Sequence, residues 1–315
     1  MKVAVISPFS PPLQQKIREA AAGCEVTFFD RPLTAQEIGQ YHIIVGNPAH
    51  ALLPQATNLK LLQLISAGTD GYTDRAVYPG DDVVLCNASG AYGDVIAEFM
   101  LAMQLCLQKN LHLYRDNMAH PAWEMLPAGA GAAGATVLCL GTGDIGGHYA
   151  QKVQALGGYT IGVKNTPAAE LPGFDELHTT GELDALLPRA DVIAMSLPDT
   201  PATRGLMGAD QLARCKPGAL LINVGRGTAV DTEALLQALR SGRLGGAALD
   251  VTDPEPLPAD HPLWRQPGCL ITPHVTGRSN DQVTKKAIAE IAAANIASFL
   301  QSGKPVRAVD FKKTY

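Results

Sequence analysis

Short apolar runs alternate with amphipathic stretches along most of the chain. The runs lie at Lys2–Ser7, Glu25–Phe29, Tyr41–Val45, Leu59–Ile65 and Val83–Cys86, then at Thr136–Leu140, Tyr159–Val163, Asp191–Ser196, Ala219–Val224, Gly246–Asp250 and Cys269–Thr272. Thr136–Leu140 is apolar and β-leaning throughout, as a strand buried on both faces must be. Helices are expected between the runs. One opens at Pro11-Pro12, continues to about Ala22 and stops at Gly23. Thr34 caps a short one, and Leu183–Leu187, Ala209–Arg214 and Thr232–Arg240 are others. Strands that alternate with helices imply parallel sheets covered on both faces. The fold class is therefore α/β, with two doubly wound parallel-sheet domains. Residues 1–90 with 280–315 form one expected domain and 91–279 the other.

Two longer helices frame this pattern. Ala91–Asn117 carries Ile96, Phe99, Met100, Met103, Leu107 and Leu111 at three- and four-residue spacing. Such a stripe is a core face or, alternatively, a dimer face. His120–Ala135 has Pro, Gly and Ala but no period, and reads as an arm or linker. Ser279–Leu300 is an alanine-rich helix expected to cross back onto the first domain, joined there by the tail Val306–Tyr315.

The stretch 136–166 organises the rest. After the strand Thr136–Leu140 comes Gly141-Thr142-Gly143-Asp144-Ile145-Gly146, which is G-x-G-x-x-G, then a helix and a second strand. Ile145, Val153 and Leu156 are the candidates for the helix's buried side, and Gly157-Gly158 ends it. Strand, motif, helix and strand within about 30 residues is the context of a dinucleotide site. Gly141 allows the tight turn, Gly143 lets backbone approach a pyrophosphate, and Gly146 lets helix and sheet pack closely. The N–H groups that start the helix face the anion.

Composition narrows the class. The chain has 315 residues, 46% of them hydrophobic, and a net charge of -5, which gives no sign of a nucleic-acid or anionic-membrane partner. No apolar run reaches the roughly 18 residues of a membrane span. The first residues read as a strand and turn, not as a signal peptide. Six scattered cysteines without C-x-x-C suggest free thiols in a reducing cytoplasm and no metal site.

Polar or glycine-rich residues follow nearly every later run: Ser196-Leu197-Pro198, Gly225-Arg226-Gly227, Asp250 and Pro273-His274. Ligands of open α/β sheets bind beyond the carboxyl ends of strands, so these residues converge on one edge. At this point the sequence resembles a family. NVGRG (223–227), LDVTDPEPLP (249–258), HPLW (261–264), TPHVTG (272–277), ISAGTDGYT (65–73) and SLPDTPATRGLM (196–207) look like the signature of the D-2-hydroxyacid dehydrogenases, over essentially the whole chain.

The resemblance implies a flavodoxin-like substrate domain, a Rossmann domain and an interdomain cleft. It makes His274 the catalytic acid–base and Glu255 the carboxylate that orients its ring. Arg226 would bind the substrate carboxylate and polarise the keto oxygen, which suits a planar fork. Ala67, Gly68 and Thr69 would hold that carboxylate through backbone N–H groups, with Asn47 lining the same cleft. Asp250 would accept from the nicotinamide carboxamide, with Val224 against the ring. Thr203, Gly225 and Gly277, within the matching motifs, are assigned to the cofactor as well. The family's dimers use the helix and arm 91–135, so a homodimer is expected.

Cofactor choice rests on the end of the second Rossmann strand. An NAD site normally has Asp or Glu there, about 20 residues beyond the glycines. Here Lys164, Asn165 and Thr166 stand in its place, and this resembles the glyoxylate/hydroxypyruvate reductases. NADP(H) is favoured, with NAD(H) possible. The expected reaction is hydride transfer between this cofactor and C2 of a small 2-keto or D-2-hydroxy acid, glyoxylate or hydroxypyruvate foremost. The alternatives are an NAD(H) enzyme of other specificity, such as one resembling phosphoglycerate dehydrogenase, and a non-catalytic dinucleotide sensor resembling the family's corepressors.

Overall fold

The structure is a computed structural model and describes residues 1–119, 123–127, 129–277 and 282–312. Parts of the expected arm (120–122 with His120, and 128), the expected start of the last helix (279–281) and residues 313–315 of the tail lie outside the described residues. The chain divides into two compact units, Met1–Tyr92 with Arg278–Tyr315, and Gly93–Gly277.

The first unit is built on β1 (Lys2–Ile6), β2 (Glu25–Phe29), β3 (Ile43–Val45), β4 (Leu61–Gln63) and β5 (Val84–Cys86), with helices α1 (Pro11–Ala20) and α2 (Ala35–Ile38). All pairings are parallel, in the order β2-β1-β3-β4-β5. This is the flavodoxin-like winding. Leu59–Ile65 was expected to be strand throughout. The ladder is shorter because the Ile65 N–H leaves it and donates to Asn47 Oδ1 at 2.9 Å.

The second unit opens with α3 (Gly93–Gln108) and α4 (Leu111–Asn117). One continuous helix was expected here. Asn110 interrupts it in a left-handed conformation (φ 55°), which asparagine tolerates better than most residues, and its amide donates to Pro127 O. Ile96, Met100, Met103 and Leu107 are buried, whereas Leu111, beyond the break, is exposed. Next come β6 (Thr136–Leu140), α5 (Asp144–Ala155), β7 (Tyr159–Lys164), β8 (Glu176–Thr179), α6 (Leu183–Leu186), β9 (Val192–Met195), α7 (Ala209–Arg214), β10 (Ala219–Asn223), α8 (Thr232–Arg240), β11 (Leu244–Leu249) and β12 (Cys269–Ile271). They form a seven-stranded parallel sheet, β12-β11-β10-β9-β6-β7-β8. The buried side of α5 is Gly146, Tyr149, Ala150 and Val153. Ile145 is only partly buried, and Leu156, expected inside, is exposed because it caps the helix after its last turn. Fully buried Tyr149 donates to Gln104 Oε1 at 2.6 Å, fixing α5 against α3.

The last helix, α9 (Gln282–Ser302), packs on α1 within the first unit. Its register is set by a buried amide: Asn295 Nδ2 donates to Gln63 Oε1 at 2.7 Å. The tail continues the same core, with Val309 buried and its N–H donating to Leu85 O.

β8 was not foreseen, because its sequence, ELHT, is polar. Its side chains form ion pairs instead of core. His178 places Nε2 2.8 Å from Glu176 and Nδ1 2.8 Å from Glu182, with Arg189 and Tyr159 also bonded to Glu176. The bond from Arg189, then that from His178, holds Glu176 down to about 2. The bond from His178, then those from Thr179, does the same for Glu182. Glu182 and then Glu176 raise His178 above its ordinary 6.5. The triad's stabilisation is therefore whole between the ordinary carboxylate value of 4.5 and 6.5. It is lost as pH rises through the raised histidine value, or falls toward about 2. His178→Gln should lower the melting temperature more at about pH 5.5 than at about pH 9. Equal penalties at both would exclude the charged triad.

Candidate active site

The second sheet reverses its winding between β6 and β9, so a crevice opens at the carboxyl ends there. Gly141 turns the chain out of β6 with φ 103°, and a Cβ on it would sit 2.9 Å from Ser196 Oγ. A Cβ on Gly146 would sit 2.0 Å from the Gly141 carbonyl oxygen, so the tight approach is between helix and turn. Around Gly143 there is open space. Among the described residues, nothing accepts from the N–H groups of Thr142 and Gly143. With the orphan N–H groups of the α5 start, they form an anion cradle. These features fit a dinucleotide pyrophosphate. Lys164 ends β7 partly buried, and Asn165 and Thr166 follow exposed. Asn165 Oδ1 accepts from Thr180 Oγ1.

The loop after β9 is stapled by its own side chains. Buried Thr203 donates to Pro198 O at 2.7 Å, so its hydroxyl serves the loop. Asp199 takes both Arg204 and Thr228. Beside Ser196-Leu197 runs the turn after β10. A Cβ on Gly225 would lie 2.6 Å from the Leu197 backbone, and one on Gly227 would lie 2.0 Å from Thr252. Arg226, between them, donates from one terminal nitrogen to Gly225 O at 2.7 Å, and Val224 is buried.

His274 and Glu255 meet. Nδ1 lies 2.7 Å from Glu255 Oε1, and both side chains are nearly half exposed. Nε2 bonds nothing among the described residues, so the Glu255 bond takes only one of the two ring nitrogens. His274 has φ 51°, in the left-handed region. That turn is anchored on Asp250, which is buried beneath it and bonded to Thr272, Val275 and Thr276. Gly277 follows the turn, partly buried. Trp264 donates to Pro258 O and braces the loop that carries Glu255.

In the first unit, the loop after β4 is held by side chains on its carbonyls. Tyr92 donates to Ile65 O, Asn87 to Ala67 O and Ser66 to Gly68 O, while Asn47 donates to Ser66 Oγ. Among the described residues, nothing accepts from the N–H groups of Ala67 and Gly68. With the carbonyls tied up, those N–H groups make a second small anion nest. Asn87, Tyr92 and Asn223 had no signal in the sequence beyond being polar next to apolar runs. Burial pushes the thiols of Cys86, Cys139 and Cys269 up to about 12, which leaves them unsuited to nucleophilic chemistry.

Residues 101–276 match the family described as D-isomer specific 2-hydroxyacid dehydrogenase, NAD binding domain. A solved D-isomer specific 2-hydroxyacid dehydrogenase family protein from Aeromonas salmonicida is 35% identical, with a TM-score of 0.86 over 98% of this chain and 99% of that one. An NADPH-dependent glyoxylate/hydroxypyruvate reductase from Sinorhizobium meliloti, solved with NADP and sulfate, is 28% identical, with a TM-score of 0.82 over 100% and 99%. A glycerate dehydrogenase from Methylorubrum extorquens is 29% identical over 82% of this chain and 81% of its own.

The glycines at 143 and 146 are separable by experiment. Gly146→Ala should lower the melting temperature, because its Cβ collides with backbone. Gly143→Ala should melt like the parent yet bind NADPH at least about tenfold more weakly, a loss of about 1.4 kcal/mol. Unchanged binding in Gly143→Ala would remove the pyrophosphate from this turn.

Proposed function

The chain belongs to the D-isomer-specific 2-hydroxyacid dehydrogenase family, and from that premise we propose that it reduces small 2-keto acids to D-2-hydroxy acids with NADPH. It is an NAD(P)-dependent oxidoreductase; the keto acid and the preference for NADPH are the proposed parts. Glyoxylate and hydroxypyruvate are the substrates of choice. The observation that carries the reading is the Glu255–His274 pair, with Nε2 open, on the strand edge that also carries Arg226 and the dinucleotide cradle.

The bound dinucleotide supplies the hydride for C2. The chain's own residues do the rest. His274 Nε2 delivers the proton to the carbonyl oxygen, and Glu255 on Nδ1 fixes the tautomer and the ring plane. Arg226 polarises the keto oxygen and draws in the carboxylate. In the first unit, the nest at Ala67, Gly68 and Thr69, with Asn47 bonded to the same loop, is assigned to a substrate carboxylate. Thr142–Gly146 take the pyrophosphate, while Ser196, Leu197, Pro198 and Val224 border the nicotinamide. Lys164, Asn165 and Thr166 take the 2′-phosphate: a cation and two neutral hydrogen-bonding side chains stand where a carboxylate would repel it.

A homodimer is part of the proposal. On α4 and just after it, Leu111, Met118, Trp123 and Met125 are exposed, Trp123 wholly so, and together they offer an apolar face to a second copy. The six free cysteines suit a reducing, cytoplasmic setting.

Steady-state oxidation of NADPH and NADH with glyoxylate and with hydroxypyruvate tests the reading. NADPH turnover should lead. Lys164→Asp should weaken NADPH binding and spare or raise NADH use; an unchanged preference would refute the role of Lys164. His274→Ala should cut kcat by about 10²–10⁴-fold while NADPH still binds. Tight NADPH binding without turnover of any 2-keto acid would replace the reductase with a sensor.

A further inference from the structure

Within the first unit, a run of aromatic contacts joins the tail of the chain to the loop after β4. Phe311 is gripped on two sides. The Arg75 guanidinium lies over its ring, 3.4 Å from the centroid, and Tyr78 meets it edge-on with centroids 5.9 Å apart. Arg75 is itself fixed, because its Nη1 donates to Asp81 O at 3.1 Å and to Val83 O at 2.9 Å. Two residues before Phe311, the Val309 N–H donates to Leu85 O at 2.8 Å, which bonds the tail to β5.

From Tyr78 the run continues through hydroxyls. The Tyr78 hydroxyl donates to Tyr72 O at 2.7 Å, and the Tyr72 hydroxyl donates to Pro48 O at 2.8 Å. Both tyrosines are buried, in the same core cluster as Val309. Burial raises both phenols above their ordinary 10.0, so both remain donors. The Tyr72 N–H also donates to Thr69 O at 2.9 Å and closes the turn that follows the nest. His50 packs on the Tyr72 ring with centroids 4.3 Å apart, and a Cβ on Gly71 would sit 2.6 Å from that imidazole. Pro48 follows Asn47, which accepts from the Ile65 N–H and donates to Ser66 Oγ. Asn47 and Tyr72 therefore tie the loop after β3 to the loop after β4 on either side of Ala67 and Gly68.

We propose that Tyr72 and Tyr78 are positioning residues for the nest at Ala67, Gly68 and Thr69, and that the tail, through Phe311, sets how firmly that nest is held. The effect on turnover rests on the assignment of the nest to a substrate carboxylate. A nest accepts an anion only while its successive N–H groups converge. Each hydroxyl in the run satisfies a carbonyl of one of the two loops, and removing it leaves that carbonyl short of a donor in a buried place. The tail thus acts on keto-acid affinity through the loop and leaves the dinucleotide site in the second unit unchanged.

Two readouts test this, one of them independent of the reaction. Tyr72→Phe and Tyr78→Phe each remove one hydroxyl and keep the ring. Phe311→Leu keeps apolar bulk and removes the π face offered to Arg75 and Tyr78. In the resting protein, the amides of Ile65 and Tyr72, bonded at the two ends of the nest, should exchange hydrogen about threefold to tenfold faster in each variant, the effect of one lost contact. Strands β1 and β3 should exchange as in wild type. Unchanged exchange at the two amides, or an equal rise throughout the first unit, would overturn the proposal. In steady state with glyoxylate and hydroxypyruvate, the keto-acid KM should rise by a similar factor, with kcat and the Kd for NADPH unchanged, as expected for lost uniform binding. Ala67→Pro, which deletes one N–H of the nest, is the reference. A raised KM in Ala67→Pro with an unchanged KM in all three other variants would refute the proposal and keep the nest as the substrate site. An unchanged KM in Ala67→Pro, or no turnover by wild type, would mean that the assignment of the nest has failed, and the exchange rates then decide by themselves whether the tail holds the loop. If Phe311→Leu does not fold, the two tyrosine variants carry the same test.

Discussion

The register of β10, β11 and β12 is the constraint on which the edge carrying Arg226, Asp250 and His274 depends. Asn223 pairs with Leu249, and Leu249 pairs with Ile271, so three parallel strands end level with one another. Asn223 is the last residue of its strand, and Asp250 and Thr272 come directly after theirs. A parallel ladder fixes this line-up through backbone bonds and through the apolar faces packed above and below it. A slip of one residue would turn every core side chain to the opposite face. It would also separate Asp250 from the threonines that satisfy it. The cost of that misalignment is an unpaired buried carboxylate, so the core and the site enforce the same register.

Close backbone approach is the second device, and glycine makes it possible. Gly225 lets the Arg226 turn lie against Leu197, and Gly227 lets it lie against Thr252. Each contact is one that any Cβ would block. The turn bearing Arg226 is therefore wedged between the loops that follow β9 and β11, and its amide bonds to Asn223 complete the fixing. Preorganisation of this kind matters more for catalysis than the strength of any single bond, because a small displacement of a polarising group is costly.

Much of the architecture was legible because doubly wound folds need apolar strands, and apolar strands are visible in a sequence. The glycine motif and the polar residues closing each run pointed to one strand edge, and the parallel sheet does bring them to its carboxyl ends. What escaped has physical causes. β8 is an edge strand whose stability comes from His178 and its carboxylates, so it has no apolar signature. The break at Asn110 depends on one backbone conformation and one amide bond to a distant carbonyl, and a helical stripe cannot report it. The bonds that Thr203 and Asp250 make within the protein were not legible either, because motif position does not report them. In both cases the bonds go to the protein's own loop.

Electrostatics completes the account. A dinucleotide and a keto acid are both anions, and the chain itself is net negative at -5. Several carboxylates lie near the strand edge proposed to receive these anions. Asp250 is saturated by four donors, Asp199 by Arg204 and Thr228, and Glu255 by His274. Asp144 sits at the positive end of α5, 3.3 Å from His148. Asp250, Asp199 and Glu255 are each turned to a donor of the protein, so their charge is offset locally. Within the second unit, the backbone N–H groups of Thr142 and Gly143 at the start of α5 have no acceptor among the described residues, and Lys164 ends the adjacent strand β7. An overall negative protein can therefore present an anion-accepting edge, because local hydrogen-bond assignment, and not net charge, sets the potential at close range.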